Sequence, residues 1–147
     1  MTISKIDRFT SLGKIQQQQY QLALKREQQV RQTIDTIDAS VLKVRQYQQD
    51  YQHDLISLQQ GASSTEKLVR TRQFLQQLMQ MEVDQLAQRQ GLQDKLQQAQ
   101  AQTLLKLQKS RMSEMLTEQA KIAKSAAINV LDAKQMDAVA TQIYTRR

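Results

Sequence analysis

The chain has 147 residues, enough for one domain, with no Pro, no Cys and only three Gly. Without Cys there is no disulfide or thiolate metal site. With 39% hydrophobic and 4% aromatic residues there is too little apolar mass for a compact globular core. The formal net charge of +7 suits an acidic protein surface, nucleic acid or anionic lipid.

The N-terminal MTISKIDRFTSLGKIQ carries a charge every few residues and lacks the apolar core of a secretory signal. No later run is long and apolar enough to span a membrane. A cytoplasmic protein is expected. Thirty residues are Gln, and Leu, Ala, Lys, Arg, Glu and Met fill much of the rest. All favour helix. A pair of long helices suits this composition, because only one stripe per helix must be buried.

Apolar residues begin at Ile3, Ile6, Phe9, Leu12 and Ile15. From Ile34 the steps become regular, through Ile37, Val41, Val44, Gln48, Tyr51, Leu55 and Leu58. That alternation of three and four is a coiled-coil seam with one polar break at Gln48. The stretch RQYQQDYQHDL (45–55) places Tyr47 and Tyr51 four apart, on one helical face. Tyr51 falls on the seam and Tyr47 flanks it. Two readings stand: both rings are buried between helices, or they form a patch facing a partner.

Near residue 60 the pattern stops. Gly61 is expected to end the first helix, with Ser63 and Glu66 forming a capping box for the second. The second stripe is read through Leu68, Leu75, Leu78, Leu86, Leu92, Leu96 and Ala99. It continues through Leu105, Met112, Met115, Gln119, Ile122 and Ala126. The expectation is an all-α single domain, a long antiparallel two-helix coiled coil. Its helices span 3–60 and 64–128, joined by a turn at 61–63. Each would be about 90 Å long. Residues 129–147 either form a short C-terminal helix, starting at Asp132 with Gln135, or continue the second helix. Because the chain pairs within itself, a monomer is expected.

Residues 1–31 hold six basic side chains against two acidic ones, and residues 111–147 six against four. The middle, 32–110, holds nine against eight. An antiparallel hairpin brings the first two segments together, so one end carries most of the charge.

No catalytic constellation, metal site or cofactor motif is present, and the chain is read as a non-enzyme. The single His, His53, lies in a polar helical run beside Asp54 and reads as a surface residue. Basic residues alternate with acids and Gln, without interleaved aromatics, so nucleic-acid binding is not expected. No segment has the wide apolar face of a membrane-surface helix.

The tyrosine pair YQQDYQ, the glycine-containing turn, the following RQFLQQL and the terminal DAKQMDAVA resemble the flagellar FliJ family. Its injectisome relatives are the coiled-coil stalk proteins of type III secretion. The resemblance runs over essentially the whole chain. Each motif is short, and their order and spacing carry the match. It implies a rod like the central stalk of rotary ATPases, with both termini in the ring of a hexameric export ATPase. It also implies contact with the cytoplasmic linker of the membrane export gate, escort of empty export chaperones, and a place at the cytoplasmic face of the export apparatus. The gate-binding surface carries over to Val44, Tyr47 and Tyr51 on the first helix and Phe74, Leu78 and Met81 on the second. Ser40 and Gln85 sit at its edge; these two and Met81 depart from the family pattern in residue type. The ATPase contact is assigned to Lys5, Arg8, Lys14, Lys121 and Lys124 at the basic end. An injectisome stalk or a cytoplasmic cargo chaperone are the alternatives. Cargo chaperones usually dimerise and are often acidic, unlike this basic, self-pairing chain.

Overall fold

The computed structural model describes residues 4–61 and 64–146. Among them are two helices and no strand: α1 (Lys5–Gln60) and α2 (Thr65–Thr145). With no Pro to interrupt them, they run 56 and 81 residues. They pack as the antiparallel two-helix coiled coil that the heptads imply. The expected start at Ile3 and the capping role given to Ser63 fall outside the described residues.

Both N-termini are capped by serine. Ser4 Oγ accepts the Asp7 N–H at 3.1 Å, and Ser64 Oγ accepts the Lys67 N–H at 3.3 Å. With Ser64 as cap, the residue three on is Lys67, and Glu66 pairs instead with Arg70. Asp7 and Glu66 lie in the first turns, where the helix dipole favours an acid. Gly61 lies in the turn after α1, yet no glycine among the described residues has a positive φ. Gly61 itself thus does not supply a left-handed cap.

The chain divides into two compact units: residues 24–102, and residues 1–23 with 103–147. In the 24–102 unit the buried positions of α1 follow the expected stripe, with Ile34, Val41 and Val44 inside and Leu78 facing them from α2. Polar contacts fix the pairing. Gln85 Nε2 donates to Ser40 Oγ at 2.8 Å, Arg45 Nε to Glu82 at 2.9 Å, and Gln48 Nε2 to Glu82 at 2.8 Å. Tyr51 stacks on Phe74. As the number rises on α1 it falls equally on α2, the mark of an antiparallel pair. Tyr47 therefore lies opposite the turn of Leu78 and Met79, rather than opposite Leu75 as a simple fold about residue 61 suggests.

In α2 the seam was expected at Leu86, Leu105, Met112, Met115, Gln119, Ile122 and Ala126. All seven are exposed. The positions turned toward α1 are Glu82, Gln85, Arg89, Leu92, Leu96, Ala99, Thr103, Lys106, Ser110, Ser113, Thr117 and Ala120. They continue the 3,4 alternation without a skip. In the 103–147 segment the buried positions include Thr103, Ser110 and Ser113, while Leu105, Met112 and Met115 lie off the seam.

In the unit formed by 1–23 and 103–147 the α2 side of the seam is small and polar, facing Phe9, Gly13, Gln16 and Tyr20 of α1. Ser110 and Ser113 are buried, and Ser110 Oγ donates to Gln17 Oε1 at 2.9 Å. A Cβ placed on Gly13 would stand 3.9 Å from Ser113 Cβ, which is ordinary contact between closely spaced helices. Leu12 and Ile15, read as part of the first apolar stripe, face outward, because the inward positions are Phe9, Gly13, Gln16 and Tyr20.

α1 begins at Lys5. In the register of Gly13 with Ser113, the facing helix runs out opposite Lys121. Every residue from Lys121 to Arg146 is exposed. The segment from 129 onward is the continuation of α2, not a separate helix.

Gly91 lies inside α2, where an added Cβ meets nothing within 4 Å. Gly91→Ala is expected to stabilise the fold by about 0.5–1 kcal/mol, since glycine loses more backbone freedom in a helix. Thermal melting followed by circular dichroism checks this. An unchanged or lowered melting temperature would show that the α2 backbone at 91 is not ordinary helix.

Candidate functional site

The surface carried over for the export gate divides into two kinds of residue. Val44 and Leu78 are 4% and 5% exposed. They are core, and a partner cannot reach them. Tyr51 is half-buried on the seam, its ring 4.7 Å from that of Phe74 with the planes at 53°. Ser40 and Gln85 are spent on each other. What remains open is Tyr47, 54% exposed, with Phe74 and Met81 also exposed.

These three occupy equivalent heptad positions. Tyr47 precedes the seam residue Gln48, Phe74 precedes Leu75, and Met81 precedes Glu82. In an antiparallel pair, the residues that precede seam positions of this phase on both helices line the same edge. The hairpin thus gathers an exposed tyrosine, phenylalanine and methionine along one side of one seam, with Tyr51 bracing Phe74 from within. Two flat rings and a flexible thioether form an adaptable apolar contact. Burial thus separates the two rings: Tyr51 lies between the helices and Tyr47 faces outward.

Glu82 lies under the same segment. Hydrogen bonds from Arg45 and then Gln48 hold its carboxyl below the ordinary carboxylate range. The sign follows from the lowered value: the contribution is present above the unfolded carboxylate pKa and is lost as pH falls through the folded one. Asp38 binds Arg89 from across the seam and raises the guanidinium pKa further above its ordinary value, first by hydrogen bonding and then by charge. The seam positions of Glu82 and Arg89 escape an apolar-periodicity reading because both are charged. Their spacing in phase with Leu78 and Leu92 is the signal that could have found them.

Lys5, Arg8, Lys14, Lys121 and Lys124 are all exposed and belong to the 1–23/103–147 unit. Lys14 and Lys121 line one shallow groove with Glu114 and Glu118. Lys5 Nζ sits 5.7 Å over the Phe9 ring. This unit holds eleven basic against five acidic residues, and the 24–102 unit ten against nine. The charge therefore concentrates where the lysines are. His53 is exposed, and among the described residues no group of three or more His, Cys, Asp or Glu could hold a metal. No described helix is long and apolar enough to cross a membrane.

No protein-family model, curated protein or solved structure matches the chain.

Burial separates the six candidate gate residues by experiment. Leu78→Ala is expected to cost about 2–5 kcal/mol of stability, as for a buried leucine. Tyr47→Ala is expected to cost about 0.5 kcal/mol or less, as for a surface site. Urea unfolding of the two variants measures both. Equal losses would place Tyr47 in the core.

Proposed function

We propose that this chain is a coiled-coil component of flagellar-type protein export. It binds the hexameric export ATPase through the basic 1–23/103–147 unit and the cytoplasmic linker of the export gate through the Tyr47, Phe74 and Met81 edge. It works at the cytoplasmic face of the export apparatus and hands on empty export chaperones. The observation that carries the reading is the exposure of Tyr47, Phe74 and Met81 on one edge of the hairpin. These are residues to which the FliJ resemblance assigns gate contact. Tyr47 and Met81, held outward, make little contact within the pair, while Phe74 is 42% exposed and also packs on Tyr51 across it. Val44, Leu78 and Tyr51 serve the same site from inside, by holding the two helices in the register that aligns the edge.

The charge supports the second contact. A net charge of +6 on one unit speeds encounter with an acidic channel or ring lining. The small polar seam beneath leaves Lys5, Lys14, Lys121 and Lys124 on the surface. Catalysis belongs to the ATPase in this reading, and the hairpin contributes binding and positioning.

The double variant Tyr47→Ala, Phe74→Ala tests the proposal against the isolated gate linker. Loss of an aromatic anchor costs about 2 kcal/mol or more of binding, roughly thirtyfold in affinity. The expected result is that loss with helicity and cooperative melting retained. Unchanged gate affinity in the folded variant would overturn the assignment of this edge.

A further inference from the structure

Phe74 and Met81 stand seven residues apart on α2, about 10.5 Å along the helix. Tyr47 projects from α1 between them. Two contacts on this side of the seam, Ser40 with Gln85 and Tyr51 with Phe74, set the pairing. Tyr47 lies four residues before Tyr51, so it stands level with Leu78, four residues after Phe74 and three before Met81. The three side chains therefore rise along the edge in steps of four and three residues, alternating between the two helices. That is the step of a helical seam, repeated here on the outside of the pair.

The rims of the same edge are charged. On α1, Asp50 and Asp54 lie toward the hairpin turn and Lys43 away from it. On α2, Lys67 and Arg70 lie toward the turn and Asp84 away from it. Asp54 and Lys67 continue the rows of Tyr47 and Phe74 by one heptad, and the other four stand three or four residues from an anchor, one step further out. Lys43, Asp50, Asp54 and Lys67 are exposed and form no ion pair among the described residues, whereas Arg70 is engaged by Glu66. Each rim changes sign along its length, and the two rims are opposite in sign at either end.

We propose that the segment seated on this edge is an amphipathic helix, laid alongside the pair as a local third helix of the coiled coil. The inference rests on the gate-binding reading and gives that partner a conformation and a charge pattern. Apolar residues at i, i+4 and i+7 of such a helix meet the three anchors at their own spacing. An extended segment repeats its same-side residues about every 6.7 Å, which falls out of step with these anchors. It also needs main-chain partners, and the described residues offer no strand edge. A helix satisfies its own backbone. The flank of the bound helix toward α1 is basic at the turn end and acidic beyond it, to match Asp50, Asp54 and then Lys43. The flank toward α2 has the reverse order. Lys67 to Asp84 span about 25 Å along α2, so a helix of about 17 residues reaches every charge.

Isotope-labelled gate linker, titrated with the full chain and followed by nuclear magnetic resonance, is expected to acquire helical Cα shifts over about four to five turns. Proline placed at the centre of that segment of the linker should weaken binding about a hundredfold, as proline does inside a helix. Asp50→Lys with Asp54→Lys should weaken binding about tenfold at low salt, less as salt rises, with the hairpin's helicity and melting unchanged. Binding by a segment that stays extended, strand-like or polyproline, would overturn the helix and leave the gate reading standing. Affinity indifferent to the reversed α1 rim would overturn the charge match. A linker that does not bind the unaltered chain at all would overturn the gate reading and this inference with it.

Discussion

A half-buried carboxylate sets the register on which this molecule depends. Glu82 sits on the α2 seam and takes hydrogen bonds from Arg45 and Gln48 of α1. An apolar coiled-coil seam can slide by one heptad at modest cost, because one leucine layer resembles the next. A polar layer cannot. Sliding by seven residues would take Glu82 away from Arg45 and Gln48 and leave its half-buried charge without those partners. The salt bridge itself, screened at the edge of the seam, contributes little to stability. Its contribution is to penalise every other alignment. The Gln85–Ser40 and Arg89–Asp38 contacts repeat the constraint within the same unit.

That alignment determines what the surface displays. With the register fixed and both helices unbroken, each residue's heptad phase decides whether it faces in or out. Phase turns Val44 and Leu78 inward and leaves Tyr47, Phe74 and Met81 in a row along one edge. The same phase, carried along α2, turns Ser110 and Ser113 inward and Met112 and Met115 outward. The apolar edge and the outward methionines are thus two results of one geometric rule.

Much of this was legible in the sequence. The absence of Pro, the alternation from Ile34 to Leu58 and the interruption near Gly61 sufficed for two antiparallel helices. The part of the seam that was misread is the part built from Glu82, Gln85, Arg89, Thr103, Ser110 and Ser113. Apolar periodicity cannot find a seam whose members are polar, and it followed the neighbouring stripe of Leu105, Met112 and Met115 instead. That stripe is a true heptad pattern, but it faces away from α1. Of the candidate gate residues, the stripe spacing grouped Tyr47 with Tyr51 and Phe74 with Leu78, and burial divides each pair. Which members face out follows from which helix face is buried, and that depends on the partner helix.

The central claim is that one heptad phase holds along both helices even where it buries serines and exposes methionines. A disulfide tests it most directly in a chain with no native cysteine. An added Cβ at Gly13 lies 3.9 Å from Ser113 Cβ, within the range a disulfide spans. Gly13→Cys with Ser113→Cys is expected to close an intrachain bond on mild oxidation, read by mass spectrometry at a concentration too low for intermolecular linking. Failure of that pair, with ready closure of Ile15→Cys to Met112→Cys, would mean that the apolar residues take the seam and would contradict the account.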